Sequence, residues 1–160
     1  MIGNILTLVS TVAAAISAIV SLVALILTIR TQNKLKQEQR KHITIEAFGI
    51  LQNEVLDKLA SVDKKNAQTI VDSLDNEECR RAYNDYKTLI ARLDHFAVGI
   101  DKEVYDFDIV KELADEHLFY VYKKVKPIID HANRVRNGQK RYSHFVDLVS
   151  RLNTQEDVKK

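Results

Sequence analysis

From Ile5 to Ile29 every position is apolar or small, with serine and threonine as the only polar interruptions. At about 1.5 Å per residue a helix of that length runs about 37 Å, against a hydrocarbon core of about 30 Å, so the segment predicts a membrane span with some tilt. Soluble cores rarely supply so long a charge-free run. After Ile29 apolar residues return at intervals of three and four, and no strand-like alternation of useful length appears. The fold class expected is all-α: a single N-terminal transmembrane helix followed by a cytoplasmic bundle of about four to five helices.

The soluble part divides by its stripes. Residues 30–41 read as a polar, basic continuation of the membrane helix. Ile45, Phe48, Leu51, Val55, Leu59 and Val62 form one apolar stripe, which could pack in the domain or against a second copy. Residues 63–76 read as a linker or short helix. Asp75-x-x-Glu78 suggests a capping box for a helix running to about Ile100, with Ala82, Tyr86, Leu89, Leu93, Phe96 and Ile100 inward and Gly99 at its stop. Asp108 is the expected N-cap of the next helix, whose core face includes Val110 or Leu113, Ala114, Leu118, Val121, Tyr122 and Val125. Pro127 removes a backbone donor, so that helix kinks or a new one starts there. A last helix, Arg141 to Leu152, buries Tyr142, Phe145, Leu148, Val149 and Leu152. The organisation expected is an anchor over 1–29, a stalk and first cytoplasmic helix over 30–62, a helical domain over 63–152 and a flexible tail over 153–160.

One face of the span carries a seam of small residues. Gly3, Thr7, Ser10, Ala14, Ser17, Ser21, Ala24 and Thr28 are spaced alternately four and three apart. In lipid, helices associate through close packing and interhelical hydrogen bonds, which small residues permit. The seam therefore predicts a helix-association face, for a second copy or another membrane protein.

Charge fixes the topology. All 24 basic and 22 acidic side chains fall after Ile29. Arg30, Lys34, Lys36, Arg40 and Lys41 follow the span within a dozen residues, and Met1-Ile2-Gly3-Asn4 carries no basic side chain. The positive-inside rule then places the amino terminus outside and residues 30–160 in the cytoplasm. The same five cations are expected to contact anionic headgroups, making membrane lipid the first partner. With no basic n-region and no well-placed cleavage site, the segment reads as an uncleaved anchor rather than a signal peptide. The single Cys79 fits a reducing compartment.

Leu93-Asp94-His95-Phe96-Ala97-Val98-Gly99-Ile100, then Val104-Tyr105-Asp106, Ile109-Val110, Tyr122 and Lys126-Pro127-Ile128-Ile129, closing with Tyr142-x-x-Phe145-x-x-Leu148 and Arg151-Leu152, form a pattern. It resembles that of an uncharacterised family of bacterial and prophage domains of unknown function, small and helical, often placed behind an N-terminal transmembrane helix. The resemblance covers about residues 85–152. It implies a helical fold and a bacterial or prophage source, and no activity. Leu93, Asp94, Phe96, Gly99, Tyr105, Asp106 and Pro127 are its most distinctive positions.

Chemistry is thinly signalled. Asp94-His95, Glu116-His117 and Asp130-His131 are adjacent pairs, about 100° apart on a helix, so none is a dyad by spacing. Folding could still gather His95, His117 and His131. No histidine follows a glutamate by three, and one cysteine excludes a cysteine-rich zinc site. No glycine-rich phosphate loop is present. No cofactor and no metal is expected. Cys79 beside Arg80 and Arg81 could carry a stabilised thiolate, although a plain cysteine is the better reading. Seven acids lie within 101–116 and seven bases (Lys123, Lys124, Lys126, Arg134, Arg136, Lys140 and Arg141) within 123–141. A solvated, internally balanced face is favoured there over a nucleic-acid surface.

The functional expectation is a membrane-anchored, non-enzymatic interaction or regulatory module. The alternatives are a membrane-tethered enzyme or toxin built on His95, His117 or Asp94, and a holin-like membrane-perturbing protein.

Overall fold

A computed structural model describes residues 2–135 and 140–154, with side chains described from Ile16 onward except at Asp115. All regular elements among the described residues are helical. They are α1 (Ile2–Leu51), a π-helical segment (Gln52–Leu56), α2 (Asp57–Ala60), α3 (Lys64–Asp72), α4 (Glu77–Asp101), α5 (Phe107–Arg134) and α6 (Ser143–Thr154). The chain separates into two compact units, one ending at Gln39 and one beginning at Arg40.

The described residues of the first unit are helical throughout. The unit carries the apolar part of α1, the one helix among the described residues that is long and apolar enough to cross a membrane. Ile16, Ile19, Val20, Leu22, Val23, Leu25, Ile26, Leu27 and Ile29 are all between 43% and 62% exposed. At 3.6 residues per turn these positions occupy most of the circumference, and Ser17, Ser21, Ala24 and Thr28 occupy the remaining strip. A helix that is apolar all round needs an apolar surrounding rather than one packed face.

The second unit is a bundle around one core. The last turns of α1 contribute Phe48 and Leu51, the π segment Val55 and Leu56, and α2 Leu59. Ile45, expected inward, is 53% exposed, because Thr44 takes the buried position beside it. The π segment inserts one extra residue into the turn, so Val55 and Leu56 are both buried where a regular helix would turn one of them away. Helix α4 buries Tyr83, Ile90, Leu93, Phe96, Ala97 and Ile100. The expected Ala82, Tyr86 and Leu89 are only half-buried, since the stripe lies one residue further round in the first turns. Helix α5 buries Val110, Ala114, Leu118, Val121 and Val125, then Ile128, Ile129 and Ala132. Leu113 is exposed, so Val110 is the inward member of the two candidates. Pro127 is buried inside α5 and no new helix begins there. All five residues expected to bury on the last helix do so.

The helix caps differ from the sequence expectation. Asn76, not Asp75, caps α4, its side-chain oxygen accepting from the amides of Glu78 (2.8 Å) and Cys79 (3.3 Å). Asp106, not Asp108, caps α5, accepting from Asp108 (3.1 Å) and Ile109 (3.3 Å). In both places the true cap has extended backbone geometry, as an N-cap requires.

Gly99 is likewise not the left-handed residue at the end of α4. That geometry falls on Glu103, with φ 57°. The amide of Val104 bonds Gly99 O at 2.8 Å and that of Glu103 bonds Ile100 O at 3.0 Å, the Schellman arrangement with Glu103 at its left-handed position. Gly99 is there for space. A Cβ on it would stand 2.5 Å from Cδ2 of the Tyr105 ring, and closer still to Cε2. Gly99→Val is expected to displace Tyr105 and destabilise the domain by about 1–3 kcal/mol, net of any gain in helix propensity. Urea denaturation checks this. The cost should shrink when Tyr105→Ala is made in the same chain, because the two side chains compete for one volume.

Candidate functional site

Four of the distinctive residues, Phe96, Gly99, Tyr105 and Asp106, converge on the corner between α4 and α5. Tyr105 stacks on Phe96 with centroids 4.7 Å apart, and Phe96 meets Phe48 at 6.2 Å. Below them the fully enclosed Thr44 hydroxyl donates to Arg40 O at 2.7 Å and accepts from the Asp106 amide at 2.7 Å. Asp106 is itself buried. Its Oδ1 caps α5 and its Oδ2 lies 3.8 Å from Arg40 Nε. Arg40 also reaches Glu103, through the backbone oxygen at 3.4 Å and the carboxylate at 3.7 Å. One arginine, one threonine and one aspartate thus tie the α4–α5 turn to the segment that enters the bundle. Sequence reasoning named Arg40 and Asp106 but had no means of pairing positions 66 residues apart, and it missed Thr44, a polar residue inside an apolar stripe.

A groove of about 390 Å³ opens beside this corner. Its walls are Ile50, Leu51, Val55, Phe96 and Tyr105, and its rim carries His95 and the Arg92–Glu54 ion pair at 2.9 Å. The π segment forms part of the wall, a common placing for such insertions.

The other expected positions lie apart from this corner. Asp94 accepts from the Phe145 amide at 3.0 Å, so its carboxylate satisfies one of the free donors at the start of α6. His95 is exposed. His131 Nδ1 is 2.9 Å from the Tyr83 hydroxyl, and His117 keeps an enclosed Nε2 with no hydrogen-bond partner among the described residues. Each histidine therefore has a different setting, and no group of three or more His, Cys, Asp or Glu side chains among the described residues is placed to hold a metal ion. Arg80 and Arg81, the neighbours that might have stabilised a Cys79 thiolate, both bind Glu77.

Along the apolar helix, Ser21 donates to Ser17 O at 2.9 Å and Thr28 to Ala24 O at 2.8 Å. These hydroxyls are satisfied within their own helix, so an association face here would act through close packing rather than polar bonding. The side chains of Thr7, Ser10 and Ala14, and the position Gly3, lie outside the described side chains. Arg30, Lys34 and Lys36 are exposed, whereas Arg40 is engaged with Glu103 and Asp106.

Among the described residues, the basic stretch that begins at Lys123 is broken up by contacts. Lys123 stands over the Phe119 ring at 3.9 Å, Lys124 donates to Ala60 O at 2.5 Å, and Lys126 binds Asp130 at 2.6 Å. Lys124 thereby closes the C-terminal end of α2, where carbonyls lack helical partners.

A pH-sensitive contact joins α4 to α6. Asp101 accepts from His144 at 2.7 Å and from Arg151 at 2.9 Å. The Asp101 hydrogen bond raises the His144 pKa above its ordinary value, opposed by burial and assisted by the charges of Asp94, Asp101 and Asp147. A raised folded value means the contribution is complete below about pH 6.5, the unfolded value, and is lost as pH rises through the folded one. The pair is exposed, so the expected fall in Tm across that window is roughly 1–4 °C. It should vanish in His144→Gln, as thermal melts at pH 5.5 and 8.5 would register.

No curated protein and no solved structure matches the chain. A family model described as a domain of unknown function, DUF4760, matches residues 11–152. The match extends the resemblance read over 85–152 through the whole bundle and into the apolar helix. The chain belongs to the DUF4760 family.

Proposed function

We propose that this chain is a single-pass protein of the bacterial inner membrane, its amino terminus outside and its helical domain in the cytoplasm. There the domain works as a non-enzymatic interaction or regulatory module. The observation that carries this reading is the abrupt change at Ile29, from a helix without a charged side chain to one with Arg30, Lys34 and Lys36 exposed. Cations placed just past a span favour the cytoplasmic side, and each contributes about 1 kcal/mol when near anionic headgroups. The module reading is supported by the use of Asp94 as a helix cap and by the separate settings of the histidines. An anchor raises the effective concentration of the domain for membrane partners, and the small-residue strip is suited to bring a second copy alongside.

The test is protease treatment of intact spheroplasts that express the full chain with a carboxyl-terminal epitope. Protection until the membrane is opened is the expected result. Digestion in intact spheroplasts would reverse the orientation, and release of the chain without detergent would remove the anchor.

A further inference from the structure

We propose that the cavity between the middle of α4 and the start of α6 binds a phosphate-bearing anion through Lys87, Lys140 and Arg141. The cavity measures about 640 Å³ and is lined on one side by Lys87, Thr88 and Asp94, and on the other by Lys140, Arg141 and Ser143. The proposal concerns the bundle alone and does not depend on the membrane orientation above.

The charge pattern singles this cavity out. The other basic side chains of α4 and α6 are paired: Arg80 and Arg81 with Glu77, Arg92 with Glu54, Arg151 with Asp101. Among the described residues, none of the three cavity cations has a carboxylate within ion-pair distance. The direct contacts of the Lys87 ammonium are neutral, Asn84 Oδ1 at 3.5 Å and the Tyr83 ring at 4.9 Å. The one carboxylate in the lining, Asp94, is bonded to the Phe145 amide. A single acid among three cations leaves an excess that suits a dianion.

Burial and the neighbouring Arg141 charge both lower the Lys87 pKa, so the two cations repel each other across the cavity. An anion between them would relieve that repulsion. The arrangement is also held in place. The Arg141 amide donates to Asn133 Oδ1 at 2.6 Å, and Tyr142, at φ 58°, sends its hydroxyl to Lys87 O at 3.5 Å. A non-glycine residue takes that backbone region only at a steric cost, and here it sits between the two lining residues Arg141 and Ser143. Ser143 adds a hydroxyl donor of the kind that completes a phosphate site, whereas the Thr88 hydroxyl already donates to Asn84 O at 3.0 Å.

A phosphate group of this charge could belong to a soluble phosphometabolite or to a lipid headgroup. The experiment follows the backbone amides of Thr88 and Ser143 by NMR, using the full chain in zwitterionic nanodiscs titrated with inorganic pyrophosphate. In parallel, the chain is examined in nanodiscs containing phosphatidic acid. Saturable shifts with pyrophosphate are expected and assign a soluble ligand; shifts only with phosphatidic acid assign a headgroup. Arg141→Gln and Lys140→Glu are each expected to weaken the response about tenfold, as loss of a charged hydrogen bond does. Lys126→Gln should leave it unchanged. Lys140 is exposed, so its variant keeps the fold even if Arg141→Gln does not. No response to either ligand, or one that survives Lys140→Glu at full strength, would overturn the site.

Discussion

Aspartates placed at Ile16 and Val20 together are expected to abolish carbonate-resistant membrane association of the full chain. Both side chains are more than half exposed and sit near the middle of the run from Ile5 to Ile29. An aspartate at the centre of a spanning helix costs about 2.5–3.5 kcal/mol on insertion scales, whereas each large aliphatic residue contributes only about 0.3–0.6 kcal/mol. Two such charges offset most of what the run supplies, and one helical turn apart they cannot both snorkel to an interface. Ile16→Leu with Val20→Leu is the matched control and should stay in the pellet. Soluble recovery of the unaltered chain under the same wash would refute the span. A folded bundle in the released variant, seen as a retained cooperative melt, would separate anchoring from folding.

The sequence made the long apolar helix and the last helix legible for the same reason. In both, the side-chain pattern alone decides the environment. A run without charge has one suitable solvent, and Phe145, Leu148, Val149 and Leu152 leave α6 only one face to bury. The caps were less legible because Asp75, Asn76, Asp106 and Asp108 are all competent cap residues, and the choice between neighbours depends on where the preceding chain arrives. Gly99 illustrates a deeper limit. Its position near a helix end suggested backbone freedom, but the reason for glycine there is the ring of Tyr105, six residues on. The π segment was hidden as well. The adjacent pair Val55-Leu56 was its only trace, and an apolar pair is compatible with an ordinary helix edge. Neither feature of the corner, the Thr44–Asp106 bond or the Arg40 contacts, could come from periodicity, since each links residues more than sixty positions apart. The cavity cations were legible as residues and not as a site. Lys140 and Arg141 stood in a basic stretch, and the helix that supplies Lys87 had to be folded against them first.

Phe145→Ala is expected to cost the bundle about 3–5 kcal/mol, the range for deleting an enclosed aromatic side chain. Phe145 is fully enclosed and meets Tyr122 edge-to-face at 6.1 Å. Its amide also carries the Asp94 bond, so one residue joins α6 to α4 through the backbone and to α5 through the ring. Helix α6 has only 12 residues, a length marginal in water without tertiary support. Its stability comes from the stripe that begins at Phe145. With a total stability of about 5–15 kcal/mol typical of a domain, the loss is enough to detach α6 before the rest unfolds. Hydrogen exchange should then show the amides of α6 opening first, while those of α5 around Val121 and Val125 remain protected. Asp94→Ala separates the two contributions. It removes the cap but keeps the ring, and is expected to cost about 1 kcal/mol. Equal losses in the two variants would mean that the polar contact, and not the packing of Phe145, holds the last helix in place.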